Sequence, residues 1–330
     1  MNISEMVLTQ RTIAMLSRQV PSTISRHIHS KGIQHLDTGS QRYLKYKLED
    51  VQSILRDIIA YQYPINKKVH CFYNFKGGTG KSSLCFQISS HLAICGYKVL
   101  VIDADPQGNL SASLGYDTSQ SYLTLYDVIV NGVPVSNSIQ NIFPGYDCIP
   151  SNISSSRFDI ELTLMSKREE RIKFALDPIK DQYDFIIFDT NPHISYVVRN
   201  ITVFADFINI PCETQPYSLN ALKVLFEDLE GFFKVMHMNP PECIIIPNKY
   251  EDRFGTSAEA MAILRQYYKQ YLIPDFAVRK NEDFNKAAKQ GLPLCFFAKK
   301  DSNALQDIVE LMYILIDKST STPIKNVELI

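Results

Sequence analysis

The sequence predicts an α/β protein: a mostly parallel, twisted sheet flanked by helices, preceded by a small helical domain. Three observations carry that prediction. Two apolar runs, Val99–Asp103 and Phe185–Asp189, end abruptly in a carboxylate, the pattern of a buried parallel strand delivering one polar side chain to the sheet's C-terminal edge. A third apolar run, Val69–Phe75, opens into a glycine-rich loop and then into a helical apolar repeat, Leu84 to Ile88. Before all of these lies a basic stretch of some sixty residues with short helical patterns.

The chain of 330 residues is 45% apolar, enough for a sizeable core, and its length suggests roughly two domains. Its 34 Lys/Arg nearly balance 35 Asp/Glu, but unevenly: residues 1–68 hold ten bases against five acids. A basic small segment joined to a mildly acidic larger one points to a polyanionic partner for the small part. The seven cysteines are scattered with no C-x-x-C pair, as in a reduced cytosolic protein rather than a disulfide frame or a zinc site. No apolar run approaches the roughly 18 residues of a membrane span, and no secretory signal is evident. The expected location is cytoplasmic.

The glycine loop carries the first chemistry. In F-K-G-G-T-G-K-S-S, residues 75–83, glycines let backbone N–H groups converge on one point, and the following helix adds its partial positive charge there. That is an anion site suited to a nucleotide's phosphates: Lys81 would reach the β- and γ-phosphates, and the Ser82 hydroxyl would sit on Mg²⁺. The loop departs from the general phosphate-loop pattern at Phe75 and carries an additional lysine, Lys76. In both respects it resembles the deviant Walker A motif of the ParA/MinD family of ATPases.

D-A-D-P-Q-G-N, residues 103–109, is similar to that family's second motif, and D-F-I-I-F-D-T, residues 184–190, stands where its Walker B strand falls. The resemblance spans residues 69–317 and implies a P-loop NTPase fold binding ATP/ADP and Mg²⁺. It implies that Lys76 crosses a homodimer interface to the partner's nucleotide. Gly77, Gly78, Thr79, Gly80, Lys81, Ser82 and Ser83 would cradle the phosphates. Asp105 would orient the attacking water, Asp103 would support either the magnesium shell or the loop lysine, and Asp189 would bind Mg²⁺ through water. Asp105 has the alternative of capping the helix that begins at Asn109. Asn248, after a late strand, stands where the family faces the adenine, with helix capping as its alternative.

Residues 1–60 form the expected N-terminal domain. A helix over residues 4–20, a turn, and a second helix started by Pro21-Ser22-Thr23 fit a helix-turn-helix, with Ser22, Thr23, Ser25 and Arg26 toward the major groove. G-x-x-R-Y at 39–43, then L-E-D-V-x-x-I-L at 48–55, resembles the wing and next helix of MerR-like domains and the N-terminal domains of the longer plasmid partition ATPases. On that resemblance Arg42 contacts backbone phosphate. A small helical dimerisation segment is the alternative. Residues 61–68 read as a linker, and 69–330 as the ATPase domain.

Near the C-terminus, residues 273–294 follow the family's closing pattern, which implies non-specific DNA contacts by Arg279 and Lys280, with Arg253, Lys286 and Lys289 behind them. Solvated surface charge is the alternative for each. The last helical pattern lacks the cationic face of MinD-type membrane anchors, so no membrane partner is expected. The family resemblance thus implies a nucleoid-associated plasmid segregation ATPase with a ParB-type partner that represses its own operon. A nucleotide-sensing repressor without motor activity, and an ATPase that positions a protein cargo, are the other classes.

Overall fold

The structure, a computed structural model, describes residues 6–36, 44–251, 255–299 and 301–321. Its centre is a seven-stranded sheet of β3 (Val69–Phe72), β4 (Val99–Asp103), β5 (Gln140–Phe143), β6 (Tyr146–Ile149), β7 (Phe185–Asp189), β8 (Phe207–Glu213) and β9 (Glu242–Asn248), in the order β5-β6-β4-β7-β3-β8-β9. All neighbours are parallel except β5 and β6, which turn back on each other at one edge. The inner strands are apolar at consecutive positions because both faces are covered. Val99 and Val101 of β4 enter one core while Leu100 and Ile102 enter the other.

β4, β7 and β3 are adjacent, so the loops after them meet at one edge of the sheet. The loop after β3 runs into α4 (Lys81–Ile94), a helix buried on nearly every side. Such a helix needs apolar or internally bonded residues all round. Ser89 Oγ accordingly lies 2.6 Å from the carbonyl oxygen of Cys85, and His91 Nδ1 lies 2.6 Å from that of Gln87.

The N-terminal residues differ from expectation at their start. Instead of a helix over 4–20, a short strand β1 (Val7–Thr9) precedes α1 (Gln10–Ser17) and pairs antiparallel with β2 (Lys45–Lys47). Met6 and Leu8 are buried at alternate positions, the period of a strand, and the Thr9 hydroxyl accepts the Thr12 N–H at 3.2 Å to cap α1. A turn at Arg18 leads to α2 (Pro21–Ser30), which starts on proline, and β2 leads to α3 (Leu48–Leu55) with a π-helical turn at Arg56–Ala60. Arg42 and Arg253 lie outside the described residues.

These elements are packed onto the main sheet and its helices. Gln52 donates to the carbonyl oxygens of Ala93 and Pro144, Arg56 Nε donates to that of Gly96, and Tyr313 Oη donates to that of Leu16. The Arg18 guanidinium lies 4.1 Å from the Tyr313 ring centroid, and one continuous apolar core runs from Leu8 through α4 to the helix Asn303–Ser319. Residues 61–68, read as a linker, are held as well: Ile65 is buried, the Tyr63 carbonyl accepts from Tyr97 Oη, and Ile65 bridges to Thr320.

The closest approach is at Gly96. It has φ +94°, and a Cβ there would come 2.7 Å from Arg56 Cα. Gly96→Ala is therefore expected to destabilise the protein by about 2–4 kcal/mol, combining left-handed strain with overpacking. A thermal midpoint and hydrogen exchange across α3 unchanged from the parent would show that this contact is not close.

Candidate functional site

At the C-terminal edge of β3, β4 and β7 a cleft of about 1000 Å³ opens. Its floor is the glycine loop, and Asp105 and the segment 191–195 form its sides. Of the expected phosphate-binding residues, Gly77, Gly78, Gly80, Lys81, Ser82 and Ser83 line it. Thr79 is buried beneath.

The loop shape depends on glycine at Gly80, where φ is +96° and a Cβ would overlap the Asn248 side-chain amide. Asn248 is packed against the loop. Its amide donates to the Thr79 carbonyl at 2.7 Å and its Oδ1 accepts from Lys249 N–H at 2.9 Å. Asn248, expected at the adenine, thus braces the loop from beneath, and its neighbour Lys249 lines the cleft.

The three acids have separate roles. Asp103 and Asp189 stand at matched register on neighbouring strands. Asp103 Oδ1 accepts from Asp105 N–H, and its Oδ2 accepts from Ser111 N–H at 2.8 Å and Ser111 Oγ at 2.7 Å, in the first turn of α5 (Asn109–Ser113). Burial pushes its carboxyl up to about 6; the Ser111 donors and the Asp105 N–H oppose the rise, and the Asp105 charge adds to it. With both oxygens engaged, Asp103 ties β4 to α5. It is Asp103, not Asp105, that meets the α5 terminus. Asp105 Oδ1 accepts from Gln107 N–H at 2.9 Å and faces the cleft.

Asp189 differs. It is fully buried, and neither carboxylate oxygen has a hydrogen-bond partner. Burial raises its pKa well above the carboxylate range, and Asp103 and Asp105 add to the rise. The Ser82 hydroxyl and Lys81 oppose it, Ser82 from a position short of a hydrogen bond. An orphaned carboxylate beside a hydroxyl at a phosphate loop fits a magnesium ion that shares its shell with phosphates and water. No group of three acid, His or Cys side chains among the described residues forms an all-protein cage.

Lys81 is buried, with its pKa lowered by burial and opposed by Asp189 and Asp105. Its Nζ lies 3.4 Å from the Lys76 carbonyl. Lys76 itself reaches across to Glu213 at the end of β8. Glu213 was legible by the rule that found Asp103 and Asp189, an apolar run closing on an acid.

The expected DNA contacts fall in three groups. On α2, Ser22 and Arg26 are exposed, Thr23 accepts from Arg26 at 3.1 Å, and Ser25 accepts from Gln10. Lys280 is exposed and pairs with Glu251 at 2.8 Å. Arg279 is bound through its backbone N–H and guanidinium to Asp307, which is 3% exposed. That pairing gives Arg279 a structural task, fixing residues 278–280 to the helix Asn303–Ser319.

An α/β sheet with a glycine loop, a loop lysine and edge carboxylates defines a P-loop nucleotide-binding protein. The AAA domain family profile matches residues 67–239, just over half the chain. The chain is 31% identical over 264 residues to the cell division protein PomZ of Myxococcus xanthus, covering 80% of this chain and 82% of PomZ. It is 28% identical over 236 residues to the chromosome partitioning protein ParA of Caulobacter vibrioides, covering 71% and 88%. Among solved structures, an ATP complex of a McdA variant from Cyanothece superposes with a TM-score of 0.67 at 22% identity, covering 78% of this chain and 99% of that one. A putative plasmid partition protein of Borrelia burgdorferi bound to AMPPNP gives 0.63 at 20% identity, covering 76% and 99%. The chain belongs to the AAA domain family as a ParA/MinD-type P-loop ATPase.

Two substitutions test the loop. Gly80→Ala is expected to weaken binding of a fluorescent ATP analogue by more than about 100-fold, roughly 3 kcal/mol. Asn248→Ala, which removes one buried brace worth about 1 kcal/mol, should cost about five- to ten-fold. Parent-like affinity in both would mean that the loop does not depend on this contact.

Proposed function

We propose that this chain is a DNA partition ATPase: ATP and Mg²⁺ join two subunits face to face, the dimer binds DNA without regard to sequence, and hydrolysis releases it. The observation that carries the reading is the meeting of Lys81, Ser82 and Asp105 in the lining of one cleft, with the orphaned Asp189 buried behind Ser82 and Lys81. The family membership and the nucleotide complexes of its structural neighbours support it.

Magnesium, when bound, would supply charge neutralisation to the phosphates. Asp189 would hold it through water and Ser82 directly. Lys81 and the loop N–H groups hold the phosphates, and Asp105 orients the water in line with the γ-phosphate. Little covalent work is left to the protein, because phosphoryl transfer is chiefly positioning and charge stabilisation. Lys76 of each subunit completes the other's site.

The N-terminal elements supply a second activity. The two helices α1 and α2 follow each other between the paired strands β1 and β2, with Arg26 and Ser22 exposed on α2, which supports reading them as a helix-turn-helix. We assign them operator reading and autorepression, and we assign stimulation of hydrolysis to a ParB-type partner in plasmid segregation. Lys280, Lys286 and Lys289 are the phosphate contacts of the non-specific mode, a salt-sensitive interaction. The close dock of α3 on α4 favours one alternative, a nucleotide-sensing repressor without motor activity, since it links the DNA-reading elements to the helix that starts at Lys81.

Turnover separates the two readings. With saturating DNA and partner, parent hydrolysis is expected to rise well above the Lys81→Ala background; its failure to rise favours the sensor. Lys76→Ala is expected to bind ATP and lose turnover. In sedimentation with ATP and Mg²⁺, Asp105→Ala should accumulate as a DNA-bound dimer while Lys81→Ala stays monomeric. An Asp105→Ala protein that never dimerises contradicts the face-to-face arrangement.

A further inference from the structure

At the rim of the cleft the Glu213 carboxylate holds two lysines at once. Its Oε2 lies 2.5 Å from Lys76 Nζ, and its Oε1 lies 2.7 Å from Lys249 Nζ. Lys249 Nζ also lies 2.5 Å from the carbonyl oxygen of Gly78, on the phosphate loop. The Glu213 side chain is 13% exposed, against 31% for Lys76 and 42% for Lys249, so the carboxylate is the most sheltered member of the cluster. Burial pushes its pKa up, but the Lys249 and Lys76 ammonium groups outweigh that and hold it below the usual range. It is ionised at neutral pH.

Backbone geometry builds this cluster. β8 and β9 pair in register at Glu213 and Asn248, which brings Lys249 beside the acid. Lys249 adopts φ +55°, a left-handed conformation that costs a lysine about 1 kcal/mol or more and that persists only where surrounding contacts fix it. Here those contacts are Glu213 and the loop carbonyl.

We propose that Glu213 is a positioning residue that stores Lys76 on its own subunit, and that Lys249 is the counter-ion that lets Lys76 leave. The inference rests on the cross-subunit use of Lys76 proposed above. For Lys76 to reach a second subunit's nucleotide, its bond to Glu213 must open. A half-buried carboxylate left with no cation would resist that step, because an unpaired sheltered charge is costly. With Lys249 on Oε1, Glu213 stays neutralised after Lys76 departs, and only one of its two charge-assisted bonds is lost. Through the Gly78 carbonyl, Lys249 also ties Glu213 to the phosphate loop, so filling the loop bears on the same cluster.

The experiment is sedimentation velocity across protein concentration, with ATP and Mg²⁺, in the Asp105→Ala background. Glu213→Gln keeps the side-chain shape and removes the charge. Dimers are then expected at about ten-fold lower concentration, since two such pairs open per dimer and each contributes a factor of about three. Lys249→Met leaves Lys76 as the main cation on Glu213, and should shift dimerisation about three-fold or more the other way. The double variant should follow Glu213→Gln, because no carboxylate remains. Opposite shifts from two residues of one cluster are not what loss of packing produces. If Glu213→Gln dimerises no more readily than the background protein, or if Lys249→Met shifts in the same direction as Glu213→Gln, this inference alone is overturned. A background protein that stays monomeric overturns the face-to-face reading and this inference with it.

Discussion

Two carboxylates at matched register on neighbouring parallel strands set the terms for the rest of this structure. Asp103 and Asp189 are both buried at the edge where β4 and β7 end. Burial and the neighbouring acids work against ionising both, and the pKa of each is raised. The fold resolves one of them internally, giving Asp103 three donors from Ser111 and Asp105. It leaves the other open. Asp189 faces Lys81 and Ser82 with both oxygens unpartnered, an arrangement that makes sense when a cation comes with the ligand. The glycine loop, the helix that begins at Lys81 and the dry sheet are what hold that arrangement.

How much of this was legible in the sequence follows from which interactions are local. The glycine loop and the ends of β4 and β7 are continuous stretches whose residue types state their role: apolar on both faces, then one acid, or glycine where the backbone must turn. The partnerships were not legible. Nothing in the stretch around Asn248 announces that β9, in register with β8, sets its amide against the Thr79 carbonyl. Nothing near Arg279 in the sequence announces that the helix Asn303–Ser319 presents a buried Asp307 to it. Both depend on packing between segments far apart in the chain. The opening strand was missed because three residues carry too little periodicity to compete with an adjoining helical pattern, and only its pairing with β2 reveals it.

The N-terminal elements illustrate a further limit. Composition marked residues 1–68 as a basic unit, and proline with lysines at 64–68 suggested separation. Composition does not report contacts made by backbone carbonyls. Gln52 and Arg56 reach the end of α4 through such carbonyls, and Gly96 lets Arg56 approach to contact distance. The unit that reads as independent is packed against the helix that follows the phosphate loop, which gives nucleotide state a short route to the N-terminal elements.

The account rests on Asp189 being the water-mediated seat of magnesium, and the direct measurement is ATP affinity with and without Mg²⁺ in the parent and in Asp189→Asn. In the parent, Mg²⁺ is expected to strengthen binding by at least about ten-fold, roughly 1.4 kcal/mol. In Asp189→Asn that gain should vanish while metal-free affinity holds. A full magnesium gain retained in Asp189→Asn would contradict the account.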